Sequence, residues 1–205
     1  MQKLNSIIKK SIAVLICISI FQNAKAQLLD SLTLYHLNEV TSLDSVKANP
    51  DKIIRLNLKK QHLKEFPPEI LKCKNLQYLD LSRNTIKEIP EGIGQLTNLQ
   101  YFLCSKTGLE RLPKEIGDLV NLKYINLNQN ELESLPPQFG KLAKLEIADL
   151  WSNELENFPE TLRDLKKLKI FDLRNILMSD EKQRYLTELM PKTKVELSPS
   201  CKCAW

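Results

Sequence analysis

The chain has 205 residues, 42% of them apolar and 27% charged, with five glycines, five cysteines and two histidines. That apolar share can bury a core and excludes a disordered chain, while so few glycines and histidines leave little material for phosphate loops, metal centres or acid–base pairs. The formal charge of +5 sits at the start: of the 30 basic residues, Lys3, Lys9, Lys10 and Lys25 fall in residues 1–26 beside no acid, leaving 26 against 25 acidic residues in the remainder and no electrostatic case for nucleic-acid binding.

Residues 1–26 read as a secretory signal peptide. A lysine-bearing start precedes an apolar run over 11–21, and Ala24-Lys25-Ala26 places small side chains at the positions a signal peptidase accepts before Gln27. The run is about half the ~20 residues that a membrane-spanning helix requires. Export of the mature chain, to the periplasm or beyond the cell, follows as an expectation. Residues 27–52 read as an amino-terminal cap. Leu37, Val40, Leu43 and Val46 recur at helical spacing, and Asn49-Pro50 stops that segment.

From there a period of 23 residues governs the chain. Ile53, Leu76, Leu99, Leu122, Leu145 and Leu168 are spaced by it, and Leu76-Gln-Tyr-Leu79-Asp-Leu81-Ser-Arg-Asn84-Thr-Ile86-Lys-Glu-Ile89-Pro90 returns as Leu122-Lys-Tyr-Ile125-Asn-Leu127-Asn-Gln-Asn130-Glu-Leu132-Glu-Ser-Leu135-Pro136. Alternating apolar residues in each unit predict one short strand, and a unit that cannot bury its leucines alone must stack on its neighbours. Asn84, Asn130 and Asn153 stand where the chain turns inward after the strand, where an amide can satisfy backbone donors and acceptors together. Thr107 can do so only in part, and Ile176 not at all. Pro67, Pro90, Pro113, Pro136 and Pro159 form a second column that fixes φ, and Gly94, Gly117 and Gly140 a third that permits close packing or a positive φ.

The pattern resembles the leucine-rich repeat family, L-x-x-L-x-L-x-x-N-x-L followed by x-x-L-P-x-x-I-G-x-L. Five regular units cover 53–167 and a degenerate sixth extends to 178. The resemblance implies a curved α/β solenoid with an inner parallel sheet, an outer side of short helices or turns, and caps at both ends. Residues 179–205 complete the array: Tyr185, Leu186, Leu189 and Met190 recur at helical spacing after Ser179 and before Pro191, and Lys194-Val195-Glu196-Leu197 can add a last strand. The absence of a cysteine-bearing outer cap over 27–51 points to a bacterial exported member.

No phosphate loop, dinucleotide fingerprint, zinc spacing or catalytic triad is legible around His36 or His62, so no enzyme activity, cofactor or metal is expected. The acids Asp80, Asp149 and Asp172 share a strand column that Leu103 and Asn126 interrupt. Cys73 and Cys104 substitute for leucines and read as buried hydrophobes, whereas Cys201 and Cys203 lie outside any core pattern.

What remains is the concave face. Its first column is Arg55, Tyr78, Tyr101, Tyr124, Ile147 and Ile170, a tyrosine ladder at ~4.8 Å spacing. Strands favour aromatics in any case, but Leu103 and Trp151 fall on the same face, and apolar residues grouped within a polar rim mark contact sites. Arg83 and Lys106 form a basic margin, and Asp149 and Arg174 stand beside Trp151. The resemblance implies recognition of a protein partner through Tyr78, Tyr101, Leu103, Tyr124, Trp151, Arg83, Lys106, Asp149 and Arg174, with no membrane span in the mature chain. Self-association, and binding of a glycan or cell-wall polymer by stacking on the tyrosines, are the alternatives.

Overall fold

The computed structural model describes residues 27–199; the leader and the Cys201/Cys203 tail lie outside them. Seven strands, β1 (Arg55–Asn57), β2 (Tyr78–Asp80), β3 (Tyr101–Leu103), β4 (Tyr124–Asn126), β5 (Ile147–Asp149), β6 (Ile170–Leu173) and β7 (Lys194–Leu197), form one parallel sheet in sequence order. Equivalent residues pair across every ladder, as in Tyr78 with Tyr101 and Tyr101 with Tyr124. The chain is an α/β repeat solenoid. Its continuous core contains the apolar residues of every unit, among them Leu79, Leu81, Ile93, Leu99 and Phe102, each fully buried.

The outer side is built from 3-10 turns, five residues each from Pro68–Lys72 to Glu160–Asp164. Each begins after a proline of the Pro67-to-Pro159 column, whose φ values lie between −66° and −71°. Proline presets that angle and lacks the N–H that the first turn could not satisfy. The glycine column serves close approach. A Cβ on Gly117 would stand 2.3 Å from the Gln138 carbonyl oxygen, and one on Gly140 the same distance from that of Thr161.

Buried asparagines bind the coils together. Asn130 Nδ2 donates to the carbonyls of Cys104 and Leu127 at 2.8 Å each, and its Oδ1 accepts from the amides of Thr107 and Leu109. Asn84 makes the corresponding four bonds. Thr107 directs its hydroxyl to the Cys104 carbonyl and Asn130 Oδ1, so it gives the coil before it nothing.

At the amino-terminal end the structure departs from the single amphipathic helix read over Leu37, Val40, Leu43 and Val46. Val40 is extended instead and pairs with the outer edge of β1, accepting from Asn57 N and donating to Arg55 O. The exposed edge of a sheet is a row of unanswered donors and acceptors, and one extended residue answers a pair of them where a helix could not. Two short helices flank it, α1 (Ser31–His36) and α2 (Leu43–Ala48), of which α2 buries Val46 over the first coil. At the other end α3 (Asp180–Leu189), capped by the Ser179 hydroxyl on Lys182 N, buries Leu186 and is followed by β7.

Asn130→Ala strips partners from two amides and two carbonyls inside the array, so it lowers unfolding stability by about 3 kcal/mol, measured by urea denaturation. Burial pushes the Cys73 thiol up to about 11 and that of Cys104 up to about 12. Peptide mapping after iodoacetamide treatment at pH 8 therefore finds both unmodified in the folded chain and both modified in urea.

Candidate protein-recognition face

The first residue of each strand projects from the concave side of the sheet, and there the expected ladder forms. Tyr78 and Tyr101 have ring centroids 6.2 Å apart, and Tyr101 and Tyr124 6.3 Å, with tilted planes. Leu103 lies two residues beyond Tyr101 on the same face, and Trp151 follows β5. Both are half-buried and so are less open than the sequence suggested. Burial raises the hydroxyl pKa of Tyr78 and Tyr124, so both are neutral donors at physiological pH. Arg83 and Lys106 are exposed at the strand exits, in the left-handed region (φ 59° and 55°). That conformation strains a side-chain-bearing residue by roughly 1–2 kcal/mol. They make no ion pair among the described residues and form a rim rather than a part of the ladder.

The polar column beside the tyrosines has a structural task. Asn57, Asp80, Asn126 and Asp172 each accept, through Oδ1, the backbone amide two residues on. Those side chains close the turn that leaves the strand. Asp172 is also gripped by Arg174 at 2.9 and 2.6 Å, and Arg174 reaches Glu196 at 3.5 Å. The Asp172 carboxylate holds that guanidinium firmly charged. Asp149 closes the same turn less well: Oδ2 accepts from Asn128 Nδ2 at 2.7 Å, while Oδ1 is buried without a well-formed hydrogen bond, the Trp151 amide two residues on lying near the carboxylate outside good geometry. Burial raises its pKa above the ordinary carboxylate value, and neighbouring Asp172 adds to the effect against the Asn128 hydrogen bond. Trp151, Asp149 and Arg174 thus fall together at the carboxy-terminal end of the face, separate from the tyrosines.

Part of the ladder is already covered, which the repeat pattern does not announce. The arm of residues 27–37 starts along the strand-entry edge, where Gln77 Nε2 donates to Gln27 O (3.1 Å), Leu29 N donates to Gln77 Oε1 (2.9 Å), and Gln100 Nε2 donates to Leu29 O (2.9 Å). It then laps α1 onto the tyrosines. Tyr101 and Ser31 share a hydroxyl hydrogen bond, and Arg55 donates to the carbonyls of Tyr35 and Leu37. The Arg55 guanidinium lies 4.9 Å from the Tyr78 ring centre and 5.5 Å from that of Tyr35. Gln77 and Gln100 are site residues that the concave columns omitted, and Arg55 heads the first column but was not among the expected contact residues. The available signal was a change of type: the position held by Gln77 and Gln100 is charged in later units, where Glu146 and Lys169 pair at 2.6 Å across neighbouring coils.

Models of the family described as leucine rich repeat match residues 52–109 and 121–142. A leucine-rich-repeat protein of Leptospira interrogans is 30% identical over 81% of this chain and 49% of its own, with a TM-score of 0.60. The repeats of this chain are leucine-rich repeats of that family. Internalin C2 of Listeria monocytogenes is 25% identical, with 78% of this chain and 68% of that one covered and a TM-score of 0.64. The plant peptide hormone receptor RGFR1, solved in complex with RGF2, shares the fold at 22% identity, 78% and 26% coverage and a TM-score of 0.57. The chain therefore spans about half the length of the Leptospira protein. No curated protein matches its sequence. The fold is commonly a protein-interaction module and its members are typically non-catalytic scaffolds. Among the described residues no helix is long and apolar enough to cross a membrane, and no group of three or more His, Cys, Asp or Glu side chains has metal-binding geometry.

Asp149 has a raised folded-state pKa, so its ionised form is disfavoured by folding and it subtracts stability wherever both states are charged. Asp149→Asn consequently raises the melting temperature at pH 7. The gain shrinks as pH falls through the raised value and is gone below the ordinary value of 3.8; thermal unfolding from pH 3 to pH 7 checks it.

Proposed function

We propose that this leucine-rich repeat chain is an exported, non-catalytic recognition module that binds a protein partner through its concave face. The observation that carries the reading is that Tyr124, Leu103 and Trp151 stand half-buried among polar residues on one face of a sheet whose register is fixed by cross-coil hydrogen bonds. Tyrosine and tryptophan bury much area with little loss of side-chain freedom and keep a polar atom for a directional bond. Arg83, Lys106, Asp149 and Arg174 supply the charged margin that fixes the register of a partner more than its affinity. Export rests on the leader features of residues 1–26, and a bacterial setting agrees with the Leptospira and Listeria neighbours.

The test uses immobilised chain 27–205 beside a Tyr124→Ala/Trp151→Ala variant with an unchanged circular dichroism spectrum. Both substitutions leave the arm and its contacts intact. Envelope and culture-medium proteins are passed over each. A specific protein retained by the native chain and lost at least tenfold from the variant supports the assignment, since truncating two aromatic anchors removes more than about 1.4 kcal/mol in total. Equal retention by both overturns it and moves the contact surface off the concave face.

A further inference from the structure

The arm fills its seat incompletely. Its helix, α1, has six residues, too short to persist without the surface beneath it. Leu34 is 1% exposed yet does not join the continuous core, so its burial depends on the arm staying down. Leu32 and Tyr35 of the same helix are 69% and 71% exposed. Between α1 and the ladder an apolar cleft of about 450 Å³ stays open, lined by Ser31, Leu32, Leu34, Tyr35, Tyr78 and Tyr101.

Two polar atoms of the seat are also left unanswered. Gln100 is fully buried, and its Oε1 accepts no hydrogen bond although Nε2 binds both Leu29 O and Gln77 Oε1. Arg55 Nε is buried without an acceptor while its terminal nitrogens hold the arm carbonyls and Glu39. A buried donor and a buried acceptor that lack partners destabilise the occupied state. Native folds rarely retain such a pair where the surface has no other task. The glutamine amides meanwhile read main chain rather than side chains, as a surface built to receive a peptide does.

We propose that the seat of residues 27–37 is a peptide-binding site with the arm as its resident occupant. Its external ligand is a segment of another protein built like the arm: non-helical against Gln77 and Gln100, then one short helical stretch over the tyrosines. That ligand carries a larger apolar side chain in the cleft and an acceptor at Arg55 Nε. This deepens the concave-face reading and rests on it. A tethered arm acts as a competitor at high effective concentration, so an outside segment must bind better than the arm to replace it.

The probes are two fluorescent synthetic peptides, one with the sequence of residues 27–37 and one with Phe at the position of Leu34. Both are titrated by anisotropy against chain 27–205 and against the same chain carrying Leu34→Asp, which expels the arm. Both peptides bind the variant, the Phe peptide more tightly, and both bind the native chain at least tenfold more weakly. Adding Gln100→Ala to the variant weakens binding further. If Leu34→Asp loses the cooperative melt of the array, Leu34→Ser replaces it.

No binding to a variant that melts like the native chain overturns the proposal, as does equal binding to both chains. A Phe peptide that gains nothing removes the larger side chain from the ligand. A native chain that sediments as a dimer, and a Leu34→Asp chain that sediments as a monomer, would show that the occupant is the arm of a second copy. Peptide binding lost while Trp151-dependent capture persists defeats this inference alone; capture unaffected by Trp151 while the peptides bind defeats the wider reading of the face.

Discussion

A chain that turns inward after every strand carries backbone amides and carbonyls into an apolar interior, and each of them must find a partner there. The buried Asn84, Asn130 and Asn153 supply these in the second, fourth and fifth units, because a primary amide can both donate and accept. Asn130 reaches two carbonyls and two amides, divided between its own coil and the one before. That division forces neighbouring coils into one register. A slip would leave several buried groups unpaired at about 1–3 kcal/mol each. Parallel pairing of equivalent residues along the sheet follows from this constraint as much as from the leucines.

Fixed register makes a surface. Because residue 78 must stand beside 101 and 101 beside 124, side chains of one column become a ladder with set spacing, whatever their identity. The Asx turns closed by Asn57, Asp80, Asn126 and Asp172 hold the strand exits in the same way. One left-handed residue recurs at the same place in every coil: Lys60, Arg83, Lys106, Gln129, Ser152 and Asn175 all have φ between 55° and 59°. Since only glycine takes that geometry freely, the array holds them there through the bonds on either side, such as Lys106 N to Asn128 O. A face held this rigidly loses little entropy when it binds.

The fold was legible because periodicity averages over exceptions. Thr107 and Ile176 break the asparagine column, yet the leucines still declare the same 23-residue spacing. The tyrosine ladder was legible for the same reason, since a parallel register turns sequence offset directly into adjacency. The amino-terminal cap was not, because helical spacing of Leu37, Val40, Leu43 and Val46 is also compatible with one edge residue followed by a short helix, and the open edge of β1 decides between them. The carboxylate column was half legible. Its interruption was visible, but that Asp80 and Asp172 are turn-closing groups while Asp149 keeps an unanswered oxygen depends on individual hydrogen bonds. The arm had no sequence signal of its own, because it belongs to no repeat; only Gln77 and Gln100 marked where it lies.

Those two glutamines set the two edges of the solenoid apart. At the strand-entry edge a repeat has to present something to solvent, and Glu146 with Lys169 does this by pairing charge across coils. Charge beneath an arm would be buried against main chain and would lose hydration without a matching counter-ion. An amide has no such difficulty: Gln77 and Gln100 bond to each other at 2.7 Å and still present groups to residues 27 and 29. The substitution of amide for charge is confined to the two units whose strand-entry edge the arm crosses, whereas the basic rim of Lys60, Arg83 and Lys106 continues on the opposite edge without regard to it. The two edges of the solenoid therefore answer to different demands, one to a peptide backbone lying against it and the other to solvent. A main-chain-reading edge accepts many sequences of the right shape, so discrimination passes to the cleft at Tyr78 and Tyr101 and to the charge at Arg55, where the resident arm fits least well.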